Sequence, residues 1–251
     1  MTRPILFLLS GLLLPACVGM EESNELGITQ RELAIFGYQA SNTNSATDPN
    51  TSADSYMTLN AGEGVMIGTC GITGSAFSGD TLLRLYNPSA IYVTSNDDSC
   101  NGYGSKMSYT PSVSGSYMVR AGCFSANACS GTVAISRRKA APSAFSVSNT
   151  NNAQVNTFNQ QYSFAAGDVI RASTCSVNAA GATASGDTYL RLYRNDGGVF
   201  TQVMTNDTAA TGSCGTAAEI IYQVPTAGYY QTRVGCSANT ACSGNLAVYV
   251  E

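Results

Sequence analysis

The sequence predicts an all-β protein built as two tandem β-sandwich, jelly-roll-like domains, each closed by two disulfides. Three observations carry that prediction. The 251-residue chain repeats itself once, its apolar residues recur on alternate positions, and its cysteines fall into two matching sets.

Composition sets the frame. Charged residues are 11% and hydrophobic residues 44%, against roughly 25% charged in an ordinary soluble domain. The difference is made up by Gly, Ser, Thr, Asn and Ala, the residues of short strands joined by many turns. Sixteen acids against twelve bases give a net charge of −4, with no basic surplus to hold a phosphate backbone, so no nucleic-acid partner is expected. The chain has no His, which excludes Ser-His-Asp and Cys-His catalysis and His-ligated zinc.

At the N-terminus, Met1-Thr2-Arg3 is a short positive segment, and Ile5 to Leu14 is an apolar run interrupted by Ser10 and Gly11. The run is too short for a bilayer span, which needs about 20 residues, and suits a secretory leader. It ends in Leu14-Pro15-Ala16-Cys17, which resembles a bacterial lipobox. Residues 1–16 are therefore expected to be a lipoprotein signal peptide, Cys17 the lipidated residue, and 17–37 an acidic tether. Removing Cys17 from nine cysteines leaves eight, an even number suited to an exported chain.

The repeat defines the two copies. Ser41-Asn42-Thr43-Asn44 recurs as Ser148-Asn149-Thr150-Asn151, and Ala61-Gly62-Glu63 as Ala166-Gly167-Asp168. Gly79-Asp80-Thr81-Leu82-Leu83-Arg84-Leu85-Tyr86 recurs as Gly186-Asp187-Thr188-Tyr189-Leu190-Arg191-Leu192-Tyr193, and Gly122-Cys123 with Ala128-Cys129-Ser130-Gly131 as Gly235-Cys236 with Ala241-Cys242-Ser243-Gly244. Copy two carries longer loops around 178–185 and 196–213. These landmarks set domain 1 at 38–136, a basic linker at 137–144 and domain 2 at 145–251. In copy one, Leu83 and Leu85 alternate with Arg84, and Tyr117, Val119 and Ala121 with Met118 and Arg120; in copy two, Tyr230, Thr232 and Val234 alternate with Gln231 and Arg233, the period of a strand with one buried face.

Four cysteines per copy allow three pairings each. The C-x5-C spacing closes a tight loop in both copies, which selects Cys123–Cys129 and Cys236–Cys242 and leaves Cys70–Cys100 and Cys175–Cys214. Such bridges suit an oxidising compartment.

Several of these elements resemble the bacterial pre-peptidase C-terminal domain, a β-sandwich related to the collagen-binding domains of secreted collagenases. The matching residues are Tyr162-Ser163-Phe164-Ala165-Ala166-Gly167-Asp168, the Gly-Asp-Thr-x-Leu-Arg-Leu-Tyr strand, Ser95-Asn96-Asp97-Asp98, and Tyr109, Pro111, Gly115 and Tyr117 to Arg120. In copy two the last element is Tyr222, Pro225, Gly228, Tyr230 and Arg233. The resemblance implies a non-catalytic, secreted accessory module.

Two constellations are candidate sites. Asp80 with Asn96, Asp97 and Asp98, and Asp187 with Asn206 and Asp207, offer hard oxygens on loops that suit calcium; the competing reading is that these Asn-Asp runs form turns. Arg84 and Tyr86, with Tyr189, Arg191 and Tyr193, form a candidate binding face of the residue types that anchor interfaces. Against it stands a structural role, each Arg pairing with Asp80 or Asp187 and each Tyr packing at the rim. The expected function is a non-enzymatic lipoprotein of the bacterial outer membrane, binding matrix, polysaccharide or envelope protein. The alternatives are an accessory or chaperone-like subunit of a secreted peptidase or secretion system, and a hydrolase using carboxylates alone.

Overall fold

The computed structural model describes residues 36–251 apart from residue 101. The expected signal peptide, Cys17 and the tether up to residue 35 lie outside the described residues. Copy one supplies β1 (Phe36–Ser41), β2 (Ala53–Leu59), β3 (Val65–Gly68), β4 (Ala76–Ser78), β5 (Thr81–Tyr86), β6 (Tyr92–Asn96), β7 (Lys106–Tyr109), β8 (Gly115–Cys123) and β9 (Ala128–Arg138). Copy two supplies β10 (Ser143–Ser148), β11 (Phe158–Phe164), β12 (Val169–Ser173), β13 (Thr183–Ser185), β14 (Thr188–Asp196), β15 (Val199–Asn206), β16 (Glu219–Gln223), β17 (Gly228–Cys236) and β18 (Ala241–Val250). The protein is all-β.

Alternation builds the sheets. In β8, Tyr117, Val119 and Ala121 are buried while Met118 and Arg120 are not, so one face meets a core and the other meets solvent. Each copy carries a four-stranded outer sheet, ordered β2-β8-β5-β6 and β11-β17-β14-β15. The opposing layer is a single ten-stranded sheet ordered β16-β12-β18-β9-β3-β7, with β1 and β4 paired to β9, and β10 and β13 paired to β18. Leu59, Ile67, Leu83, Leu85, Val119 and Ile135 fill the first core, and Phe164, Ile170, Leu190, Leu192, Val234 and Leu246 the second. The bridges Cys70–Cys100, Cys123–Cys129, Cys175–Cys214 and Cys236–Cys242 are all formed.

The order of the ten-stranded sheet reads the same from both ends in repeat terms. Its centre is the antiparallel pair Arg137↔Val250 and Arg138↔Tyr249. Arg137 and Val250 both lie eight residues past the last cysteine of their copy, so the copies meet about a local two-fold. This corrects the expected basic linker at 137–144. Arg137 and Arg138 are strand residues of β9, and the connection is 139–142. The Arg137 charge is absorbed by the fold: its guanidinium lies 3.3 Å from Glu63 and donates to the Thr58 carbonyl. Phe36 and Gly37, inside the expected tether, are likewise strand residues, because β1 pairs along β9.

The seam between the copies is apolar at one side and ionic at the other. Met66, Ile72 and Ala134 of copy one pack with Ala179, Ala182, Ala247 and Tyr249 of copy two. Beside them Arg171, 5% exposed, donates through Nε to Glu251 at 2.5 Å and through Nη1 to Glu219 at 2.6 Å. It crosses to the Gly71 carbonyl at 3.1 Å, and the Thr73 N–H returns a bond to Glu251 at 2.9 Å. Burial alone would raise the Glu251 carboxyl; the bonds and charge of Arg171, with the Thr73 N–H, outweigh it and hold that carboxyl below its ordinary value.

Candidate functional site

The outward faces of the two four-stranded sheets carry the candidate binding residues. In copy one, register sets Asp54, Arg120, Arg84 and Ser95 in one row across β2, β8, β5 and β6, and Tyr56, Met118, Tyr86 and Tyr92 in the next. Arg120 forms a two-pronged pair with Asp54 at 2.7 and 2.8 Å and lies 5.3 Å from the Tyr86 ring centre. Arg84 lies 5.5 Å from the centre of Tyr92, whose ring meets Tyr86 edge-on at 6.1 Å. The face stays open to solvent, with Tyr56 66% and Tyr92 49% exposed.

Copy two repeats the guanidinium–ring plan with different polar partners. Arg191 lies 5.0 Å from the Tyr189 ring centre, and Arg233 sits 4.0 Å from Tyr193 and 5.0 Å from Phe200. Where copy one has a carboxylate, copy two has amides. Arg191 donates to Gln202 at 2.6 Å, Arg233 to Gln231 at 2.8 Å, and Asn195 to Gln161 at 2.8 Å. Tyr229 adds a ring 54% exposed. Contacts of this kind are worth roughly 0.5–1 kcal/mol each at exposed positions, and they hold the rings in defined orientations.

Arg84 and Arg191 do a second job that neither sequence reading named. They do not pair with Asp80 or Asp187. Arg84 Nε donates to the Ser45 carbonyl at 2.8 Å, and Arg191 Nε to the Asn152 carbonyl at 2.6 Å. Those carbonyls belong to a turn of three successive left-handed residues, Asn44-Ser45-Ala46 in copy one and Asn151-Asn152-Ala153 in copy two. Left-handed backbone costs roughly 1–2 kcal/mol per residue, so the turn needs anchors. The Thr43 hydroxyl supplies one by donating to the Cys123 carbonyl and accepting from its N–H, and Thr150 does the same at Cys236. Gly122 and Gly235 leave room for this docking: a Cβ on Gly122 would lie 2.7 Å from Thr43 Oγ1 and 2.9 Å from Ala46 Cβ. The Ser-Asn-Thr-Asn repeat is thus a folding signature, and each strand Arg joins it to the aromatic face.

Of the expected calcium sets, Asp80 lies near Asp97 and Asp98. Among the described residues no three of His, Cys, Asp or Glu group closely enough to hold a metal ion. The Asn96 side-chain oxygen accepts from Ser99 and from the Lys106 N–H, and that of Asn206 from the Thr208 N–H. The Ser99 and Thr208 bonds are local turn bonds, and the Lys106 bond ties β6 to the start of β7. Asp80 keeps one carboxylate oxygen buried and unpaired among the described residues, and burial with nearby Asp98 and Asp97 raises its pKa.

Sequence reasoning missed Arg120, Arg233, Tyr92, Phe200 and Tyr229. A signal for the two arginines was present, since both recur at the same alternating position of the repeat. The rings beside them come from β6, β15 and β17, and only strand order brings them together.

No family model matches the chain, and no curated protein matches it in sequence. Among solved structures, a protein of the Sulfolobus turreted icosahedral virus is 10% identical, with 86% of this chain and 90% of that chain covered at a TM-score of 0.28. The tandem CBM22-1–CBM22-2 domains of Paenibacillus barcinonensis Xyn10C are 9% identical, with 85% and 90% covered at 0.28. Both superpositions are loose.

Proposed function

We propose that this chain is a non-catalytic binding module of the bacterial cell envelope, tethered to the outer membrane through lipidated Cys17 and adhering to polysaccharide, matrix or envelope protein. One observation carries the reading: each copy presents a solvent-facing sheet on which guanidinium groups hold aromatic rings in place. Exposed rings offer flat apolar area at low entropic cost, and the guanidinium and amide groups around them suit ligand hydroxyls. Of these partners polysaccharide fits best, because the copy-two face gathers Gln161, Gln202, Gln231 and Asn195 around Tyr193, Tyr229 and Phe200. Two weak faces on one tether gain avidity, whereas duplicating an active site at most doubles a rate. The resemblance to the pre-peptidase C-terminal domain agrees with an accessory role.

The test uses the chain with Cys17→Ser. Wild-type faces should retain envelope polysaccharide, and Tyr229→Ser/Phe200→Ser should weaken retention about tenfold at unchanged melting temperature. Hydrolysis of peptide, ester or glycan substrates that disappears in Asp80→Asn/Asp187→Asn would overturn the reading. Anchoring is checked separately by the loss of membrane partitioning in Cys17→Ser.

A further inference from the structure

The copies diverge most where they meet. Two cavities of about 590 and 630 Å³ open along the seam and share Gly71, Asn178 and Thr211 in their walls, so they form one crevice. Its copy-two wall is made by the loops that break the repeat. There are two more residues between Cys175 and Gly186 than between Cys70 and Gly79, and seven more between Gly186 and Cys214 than between Gly79 and Cys100. Those extra residues bring Ser176, Val177, Asn178, Thr211 and Ser213 over the seam. Clefts between packed units are where ligand sites concentrate.

The chemistry of the crevice is specific. Asn178 is 6% exposed; its amide donates to Glu219 at 2.8 Å and accepts from the Thr211 hydroxyl at 3.0 Å. Both seam carboxylates are engaged, Glu219 by Arg171 and Asn178, Glu251 by Arg171 and the Thr73 N–H. Lys106 reaches into the same space and donates to the Val177 carbonyl at 2.8 Å. An ammonium has three donors, and among the described residues no carboxylate lies within 4.0 Å of this one. Burial, then the charge of Arg171, lowers the Lys106 pKa against the weaker opposing charges of Glu219 and Glu251, and an anion in direct contact would oppose that lowering further. Ser108, Ser176 and Ser213 add hydroxyls to the walls, and Val177, 45% exposed, an apolar surface.

We propose that this crevice is a second ligand site, taking a sugar that bears a carboxylate: Lys106 receives the carboxylate, the serine hydroxyls and Thr211 meet the ring hydroxyls, and Val177 lies against the ring. The volume admits one or two sugar units. The site goes beyond the sheet faces proposed above and does not depend on them.

Titration calorimetry on the chain with Cys17→Ser tests it, using glucuronate, galacturonate and their dimers, with glucose and inorganic sulfate as controls. Binding of a uronate, at least tenfold tighter than glucose or sulfate, is expected. Lys106→Met should remove it at least tenfold at unchanged melting temperature, and Lys106→Arg should retain part of it. Should Lys106→Met unfold, Thr211→Ala and Ser176→Ala give the same reading from exposed positions. Absence of uronate binding, equal binding of sulfate or glucose, or binding indifferent to Lys106 would overturn the site. Tyr229→Ser/Phe200→Ser should leave uronate binding intact while weakening polysaccharide retention, so the two proposals fail separately.

Discussion

The outer shell and the seam of this molecule behave in opposite ways under duplication. On the shell the docked turn is the same in both copies, side chain for side chain. Arg84 and Arg191 anchor the same left-handed turn, Thr43 and Thr150 dock it, and Gly122 and Gly235 make the space. At the seam equivalent positions carry opposite chemistry. Lys106 and Glu219 each open a strand paired two residues before the first bridged cysteine. Arg138 matches Glu251, and Met66 matches Arg171. A two-fold join between identical copies would place like charges against each other. The divergence gives copy two a buried Arg171–Glu219–Glu251 cluster that reaches copy one through the Gly71 carbonyl and the Thr73 N–H, so each copy fits its partner rather than itself.

The largest break in that comparison is Arg171→Met, which gives copy two the residue copy one has. It leaves Glu219 and Glu251 buried without their cation and should cost about 3–5 kcal/mol, read from urea unfolding. Met66→Leu at the matching position should cost less than about 1.5 kcal/mol. The Arg171 effect also has a pH signature. The Glu251 carboxyl is held below its ordinary value of 4.5, so its contribution is complete above that value and is lost as pH falls below it. The wild-type advantage over Arg171→Met should therefore shrink in acid; an advantage that grows there would contradict the assignment.

Next come changes at which the copies should agree. Gly122→Ala and Gly235→Ala each force a methyl into the docked turn and should cost roughly 1–3 kcal/mol, by similar amounts in both copies. Arg84→Met and Arg191→Met each remove a charged donor to a strained turn and should cost roughly 1.5 kcal/mol. A matched pair of losses by differential scanning fluorimetry supports a shared folding role. A loss in one copy alone would show that the duplication has drifted on the shell as well.

This contrast also explains what could be read from the chain. Repeat analysis finds likeness, so it recovered the strand alternation, the four bridges and the strand arginines. Residues that differ between copies have no counterpart to flag them, and Arg171, Glu219 and Glu251 drew no notice. Arg137 and Arg138 were misread by charge, because a basic run beside a Pro looks like a solvated linker when its Glu63 partner is 74 residues away. Arg84 was assigned to Asp80 because a near neighbour in sequence is the natural partner, whereas its bond runs 39 residues back to Ser45. The aromatic face was half visible: the repeated arginines were in view, but the rings that cover them depend on strand order.

The central claim is that divergence at the seam joins the copies into one cooperative body. Scanning calorimetry of the chain with Cys17→Ser tests it most directly, comparing calorimetric with van't Hoff enthalpy. The account predicts a single transition with the two enthalpies equal, and separation into two transitions in Arg171→Met. Two independent transitions in the parent chain, or an Arg171→Met variant that melts as the parent does, would contradict it.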